Sequence, residues 1–195
     1  SLAGTPGDSL KAEVKTHVNH KLIDASISVV EVATIADNFN LKSNSKIEAT
    51  SPLGVLVSLE YEGDGNVNTE GIFGNGKLEA SLKAGPVYGA TTISQTVEVF
   101  PFKPEAKIDS SVKIDSTLVK AQNTFAAAFA NGELTATSNT AALDDTLVHL
   151  AEVTFKDSTL AVKSDTKAEA LGLKIQNVAE ASAGAGAVNI KVETS

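Results

Sequence analysis

The stretch EAKIDSSVKIDSTLVK, residues 105–120, alternates apolar or small side chains with polar ones at every second position. Side chains point to opposite faces along a β-strand, so this stretch is predicted to be one strand with an apolar and a polar face. A globular strand usually has about 5–6 residues, and this pattern lasts about twice as long. The predicted apolar side carries Ala106, Ile108, Ser110, Val112, Ile114, Ser116 and Leu118.

The same period of two recurs from residue 10 to the end of the chain, in stretches separated by short turn-like segments. Amphipathic strands in succession predict an all-β protein, an antiparallel meander of about ten strands. No break in composition marks a second domain, so residues 1–195 are predicted to form a single β domain. The sheet is expected to curl, or to close into a barrel around an apolar interior, because closure hides the apolar face and the open edges.

Turns are predicted where residues that tolerate positive φ cluster. The prolines of FPFKPE, residues 100–105, lack a backbone N–H and are expected to interrupt pairing. Residues 139–153 also fit helical spacing, but we favour a strand there. For residues 121–129 a helix and a strand with Phe125 and Phe129 on one face are alternatives. The predicted turns are EGDGN (62–66), GNG (74–76), KAGP (83–86) and Asn131-Gly132.

Composition excludes several classes of function. The formal net charge is −8, and all 16 basic residues are lysines. Paired hydrogen bonds to phosphates and bases are mainly made by Arg, so nucleic-acid binding is not expected. The chain has no Cys, which rules out disulfides, thiol catalysis and cysteine-based zinc sites. No apolar run approaches 18 residues, and no signal peptide is visible.

The few residues with site chemistry do not converge on a reaction. His17 lies on a predicted polar face, whereas His20 and His149 lie on apolar faces. These two are interpreted either as buried, hydrogen-bonded structural residues or as polar handles that bind a ligand in a cavity, such as the carboxylate of a fatty acid or a pigment. Asp144-Asp145 is interpreted as an acidic turn, and the alternative is a weak cation site. We therefore expect no enzyme, no catalytic residue, no metal site and no required cofactor.

Three segments carry a resemblance to a known family. GIFGNGKLEASLKAG, FPFKPEAKIDSSVKIDSTLVKAQNTFAAAFANGELTATSNT and EASAGAGAVNIKVETS combine Gly-rich turns, Ala/Ser-rich inner faces and Lys/Asp outer faces. In this they resemble the amphipathic β-strand regions of vertebrate apolipoprotein B, over nearly the whole chain and most clearly over residues 70–195. The resemblance implies a secreted, extracellular protein whose β-belts wrap lipoprotein particles. The chain is then expected to be a fragment of such a protein or a shortened relative that acts as a carrier.

Lipid, or another small hydrophobic ligand, is accordingly predicted to lie against the apolar faces of the strands. The other expected partners are the rest of a lipoprotein particle and, if the apolar face is exposed, further copies of the chain. The predicted ligand-lining residues are Val14, Val18, His20, Leu22, Val57, Leu59, Tyr61, Ile108, Val112, Ile114, Leu118, Phe125, Phe129, Leu147, His149, Val153 and Phe155.

The alternative function is that of a pigment carrier, which holds a tetrapyrrole or carotenoid inside a closed barrel. Specificity would then depend on a few inward polar groups. The candidates for those groups are His20, Tyr61, Tyr88, Gln95 and His149.

Overall fold

A computed structural model of the protein describes residues 9–35, 38–184 and 186–195, which form strands and their connections but no helix. The strands are eight to fourteen residues long, well above the usual length. They are β1 (Ser9–His20), β2 (Ile23–Ile35), β3 (Phe39–Thr50), β4 (Val55–Val67), β5 (Ile72–Ala84), β6 (Val87–Phe100), β7 (Glu105–Ser116), β8 (Lys120–Ala130), β9 (Glu133–Ala142), β10 (Leu147–Lys156), β11 (Thr159–Ala170), β12 (Leu173–Gly184) and β13 (Ala187–Thr194).

All thirteen strands belong to one sheet, and their order in the sheet is their order in the chain. Every neighbouring pair is antiparallel, from β1–β2 to β12–β13. The predicted all-β antiparallel meander is therefore confirmed. Of the two expected forms, a curled sheet or a closed barrel, the barrel is not formed, because β1 and β13 lie at opposite edges and do not pair.

The register places one face of every strand on the same side of the sheet. Residues directly opposite each other on neighbouring strands share a face, as Val14 and Val29 or Ile47 and Leu59 do. We call this side the apolar face. It carries the even-numbered residues of β1, β5, β7, β9, β11 and β13 and the odd-numbered residues of the other strands.

The opposite side, the charged face, holds nearly all charged residues of the strands. Glu31 is the one Asp, Glu or Lys that the described strands place on the apolar face. Lysines and acidic residues two positions apart in a strand, such as Lys46 and Glu48, form ion pairs along the charged face. The alternation in the sequence thus places every charged residue of the described strands except Glu31 on one face of the sheet.

The sheet is a single layer and encloses no core. Among the apolar residues that the structure describes, only Ala141 is buried, at 9% exposure. The described residues therefore do not form the expected apolar interior, since none of them makes a second layer over the apolar face. Backbone ladders and cross-strand pairs hold the sheet together, and each such pair contributes only about 0.2–1 kcal/mol.

Two predicted turns are wrong. EGDGN and GNG lie inside β4 and β5, where Gly63 pairs with Gly76 and Gly65 with Gly74. None of these glycines has a positive φ. A Cβ on Gly63 would collide with the hydroxyl of Tyr61, so the tyrosine ring covers the space that the glycine leaves open. These glycines therefore lie within strands rather than in chain reversals, and Gly63 and Gly76 leave room for the ring of Tyr61.

The other predicted breaks are confirmed. Asn131 and Gly132 form a hairpin turn with φ of 52° and 77°. Residues 101–104 of the proline segment connect β6 to β7, and KAGP supplies the turn that follows β5. Residues 121–129 lie in β8, and 139–153 span the hairpin of β9 and β10, so both are strand rather than helix. The sheet has thirteen strands rather than about ten. Turns such as Leu171-Gly172 contain apolar residues that continue the alternation, so the sequence pattern did not show that one strand ends there and another begins.

Candidate functional site

The apolar face is the candidate site because it extends over all thirteen strands and no described part of the chain covers it. Thirteen strands about 4.8 Å apart, each of about twelve residues rising about 3.3 Å, give a face of about 60 by 40 Å, or about 2,400 Å². The largest apolar patch on a typical soluble monomer covers about 300–600 Å². The face as a whole is several times larger, and exposed apolar surfaces of this extent mark interaction sites.

The structure places fifteen of the seventeen predicted ligand-lining residues on this face. They share it because each follows the phase of its strand: Val14, Val18, His20, Val57, Leu59, Tyr61, Ile108, Val112, Ile114, Phe125, Phe129, Leu147, His149, Val153 and Phe155. Their contact with a ligand stays a prediction.

The other two predicted lining residues lie in connections. Leu22 is in the turn between β1 and β2, and Leu118 follows the end of β7. The hydroxyl of Ser116 accepts hydrogen bonds from the backbone N–H groups of Leu118 (3.2 Å) and Val119 (2.9 Å). These local bonds compete with ladder pairing, so β7 stops before the alternation in the sequence does.

Four of the five polar groups that were predicted to point inward lie on the apolar face, and one does not. His20, Tyr61, Gln95 and His149 follow the apolar phase of their strands. Tyr88 pairs with Lys83 and lies on the charged face. The prediction for Tyr88 is therefore wrong, because a tyrosine fits both a half-buried and an exposed strand position.

The two histidines on this face have local partners. His20 accepts a hydrogen bond from the backbone N–H of Leu22 through Nδ1 at 3.3 Å. The Nδ1 atom of His149 lies 2.8 Å from the hydroxyl of Thr166 on the next strand. His17 lies on the charged face, 3.5 Å from Asp24. The predicted hydrogen bonds are present for both His20 and His149, but the predicted burial is wrong, since His20 is exposed and His149 is half-buried.

A line of polar residues crosses the apolar face, and only His149 of this line was singled out in the sequence. Each residue is the registered partner of the next, so the line runs perpendicular to the strands. The signal in the sequence was a polar residue at an apolar phase in six successive strands. We call it the polar row: Asn123, Thr140, His149, Thr166, Asn177 and Thr194, one on each of β8–β13.

The charged face is lined with ion pairs between exposed side chains. Lys77 and Glu79 are 2.7 Å apart, and Lys191 and Glu193 are also 2.7 Å apart. The pKa of Glu13 is lowered from its ordinary value of 4.5 to about 2. The main cause is a hydrogen bond from the ammonium group of Lys15, followed by one from that of Lys11. Such exposed pairs contribute little to stability, but they keep this face in water.

Other kinds of site have little support. The described part of the chain contains no group of three or more His, Asp or Glu side chains that could hold a metal ion. Asp144 and Asp145 lie together in the β9–β10 connection, where Lys120 approaches Asp144 to 3.7 Å. Helices long and apolar enough to cross a membrane are also absent from the described residues.

Comparison with known proteins gives a finding that bears on most of the sheet. A family model described as "Apolipoprotein B100, beta-belt" matches residues 8–181. No curated protein sequence matches the chain. The matched segment begins just before β1 and extends into β12, so it contains almost all of the apolar face.

Proposed function

The chain belongs to the apolipoprotein B100 β-belt family, and on this basis we propose that the apolar face lies on the lipid surface of a lipoprotein particle. The observation that carries the proposal is the apolar face, which extends over all thirteen strands and is not covered by any described part of the chain. Burial of apolar surface gains about 25 cal/mol per Å², so a face of this size favours a broad hydrocarbon surface over water.

The charge distribution supports the same orientation. The ion pairs of the charged face stay in water when the apolar face rests on lipid, and only Glu31 of the described strand charges would have to meet the lipid. The net charge of −8 disfavours anionic surfaces. Binding is therefore expected to be apolar and non-catalytic, with the fifteen predicted lining residues of the apolar face in contact with lipid.

The proposal includes an extracellular location, as expected for a lipoprotein component. It also includes self-association of the chain when lipid is absent, because two apolar faces can then cover each other. The pigment-carrier alternative needs an enclosed cavity, and no observation on the open sheet favours it.

Flotation with an emulsion of triolein coated with phosphatidylcholine tests the proposed function. We expect the purified chain to float with the emulsion and to remain in the dense fractions when lipid is left out. Lipid extraction followed by mass spectrometry identifies what the chain carries from its natural source. A chain that stays in the dense fractions in both cases, and yields no bound lipid, would rule the proposal out.

A further inference from the structure

The polar row is a conspicuous departure from the apolar character of the candidate site. It covers six adjacent strands, or about 24 Å at five intervals of about 4.8 Å. In β5, β6 and β7 the same row continues with Leu78, Ile93 and Val112. Further on, the row has Tyr61, Ser45, Val29 and Val14 on β4, β3, β2 and β1, so an uninterrupted run of polar residues occurs only in the six carboxyl-terminal strands.

Part of the hydrogen-bonding capacity of the row is used within the sheet. The Asn123 amide nitrogen donates to the hydroxyls of Ser138 at 3.0 Å and Thr140 at 2.7 Å. His149 Nδ1 pairs with the Thr166 hydroxyl at 2.8 Å. These bonds connect Asn123 to Thr140 and His149 to Thr166, and so hold four of the six side chains across the strands.

Several donors of the row remain available above the sheet. The amide of Asn177, the hydroxyl of Thr194 and the Nε2 atom of His149 have no hydrogen-bond partner among the described residues. Nε2 carries a hydrogen in the tautomer in which Thr166 donates to Nδ1. Contact with a pure hydrocarbon layer would remove water from these groups without providing another hydrogen-bond partner, which is unfavourable.

The chemistry of the row selects among lipid groups. No member of the row is charged, and the one strand charge that the described residues place on the apolar face is the acid Glu31. Phosphate and carboxylate groups call for cationic partners, which the row lacks. An uncharged ester carbonyl accepts hydrogen bonds and needs no counter-charge, so it fits the available donors.

From this match we propose that the polar row binds the ester carbonyls of neutral acylglycerols, while their acyl chains lie over the apolar residues on either side. The flanking residues Leu147 and Ile175 lie next to the row on one side, and Val153 and Val162 lie two rows away on the other. The inference rests on the proposed lipid-binding function. It adds that the surface must present esters, and not merely hydrocarbon.

Adsorption to oil droplets of two kinds tests the inference. The wild-type chain is expected to bind a triolein–water interface at least about tenfold more tightly than a hexadecane–water interface, since only triolein can pair the free donors. In the variant His149→Leu, Asn177→Leu and Thr194→Val this preference should disappear, because binding to hexadecane rises. The control Gln122→Leu, Thr124→Val and Asn139→Leu makes matched changes on the charged face and should keep the preference.

A second measurement does not depend on the variant folding. The infrared band of the triolein ester carbonyls should gain a component at lower wavenumber when the wild-type chain adsorbs, as hydrogen-bonded carbonyls do. An unchanged ester band, or equal wild-type affinity for triolein and hexadecane, would overturn the inference while leaving lipid binding intact. Tighter binding to phosphatidylcholine vesicles than to triolein would overturn the assignment to neutral esters. Failure to adsorb to every lipid surface would instead remove the proposed function itself.

Discussion

Removal of two large side chains from the apolar face of β7 should weaken lipid binding by a predictable amount. Ile108 is 44% exposed and Ile114 is 40% exposed. Full burial of an isoleucine contributes about 1.5–3 kcal/mol, so covering the exposed two-fifths of both side chains contributes about 1.2–2.4 kcal/mol in total. The double variant Ile108→Ser and Ile114→Ser should therefore bind triolein emulsions about 8- to 60-fold more weakly than the wild type.

The assay is flotation over a range of lipid concentrations, from which a partition coefficient is obtained for each variant. The matched control is Val148→Ser and Leu150→Ser, which removes two apolar side chains from the charged face of β10. Its partition coefficient should stay within about threefold of the wild-type value, a change well under 1 kcal/mol. Equal losses in the two double variants, with the sheet intact by circular dichroism, would refute the assignment of the faces.

Three further predictions concern the sheet itself, each measured on the lipid-bound protein. Leu171→Asn should stabilise the chain to urea by about 1 kcal/mol, because Leu171 has a φ of 52° and Asn tolerates that conformation better; no gain would contradict the turn geometry. Gly63→Val should destabilise by about 1–3 kcal/mol by displacing Tyr61, whereas Gly65→Val, which meets no side chain, should not; equal effects would argue against the packing described. The carboxyl of Glu13 should titrate near pH 2 by NMR. Because folding lowers its pKa, its contribution to the stability of the folded state is present above pH 4.5 and is lost as the pH falls towards 2. A titration midpoint near 4.5 would show that its contacts with lysine do not form.

The period of two predicted which side chains share a face, and it did so because the physical constraint is local. Each residue of an extended chain points opposite to its neighbour, whatever the strand pairs with. Ile108, Val112 and Phe125 therefore lie on the apolar face as predicted. The pattern is the same for an open sheet and a closed barrel, so it could not decide between them.

The wrong predictions concern residues whose structure depends on contacts that the alternation along one strand does not describe. Glycine permits a positive φ without requiring it, and the cover that Tyr61 gives to Gly63 depends on packing above the sheet. Leu118 continues the alternation, but the Ser116 hydroxyl ends the strand before it. The polar row was missed because it exists only when six strands are placed in register.

The most direct test of the central claim is the accessibility of two neighbouring positions on β7. Val112 lies on the apolar face and Lys113 on the charged face. Spin labels are attached at each position in turn, and their relaxation by a water-soluble paramagnetic agent is measured on the chain bound to a triolein emulsion. If the apolar face lies on lipid, the label at 112 is strongly protected and the label at 113 is freely accessible, whereas equal access at both positions would contradict this orientation of the sheet.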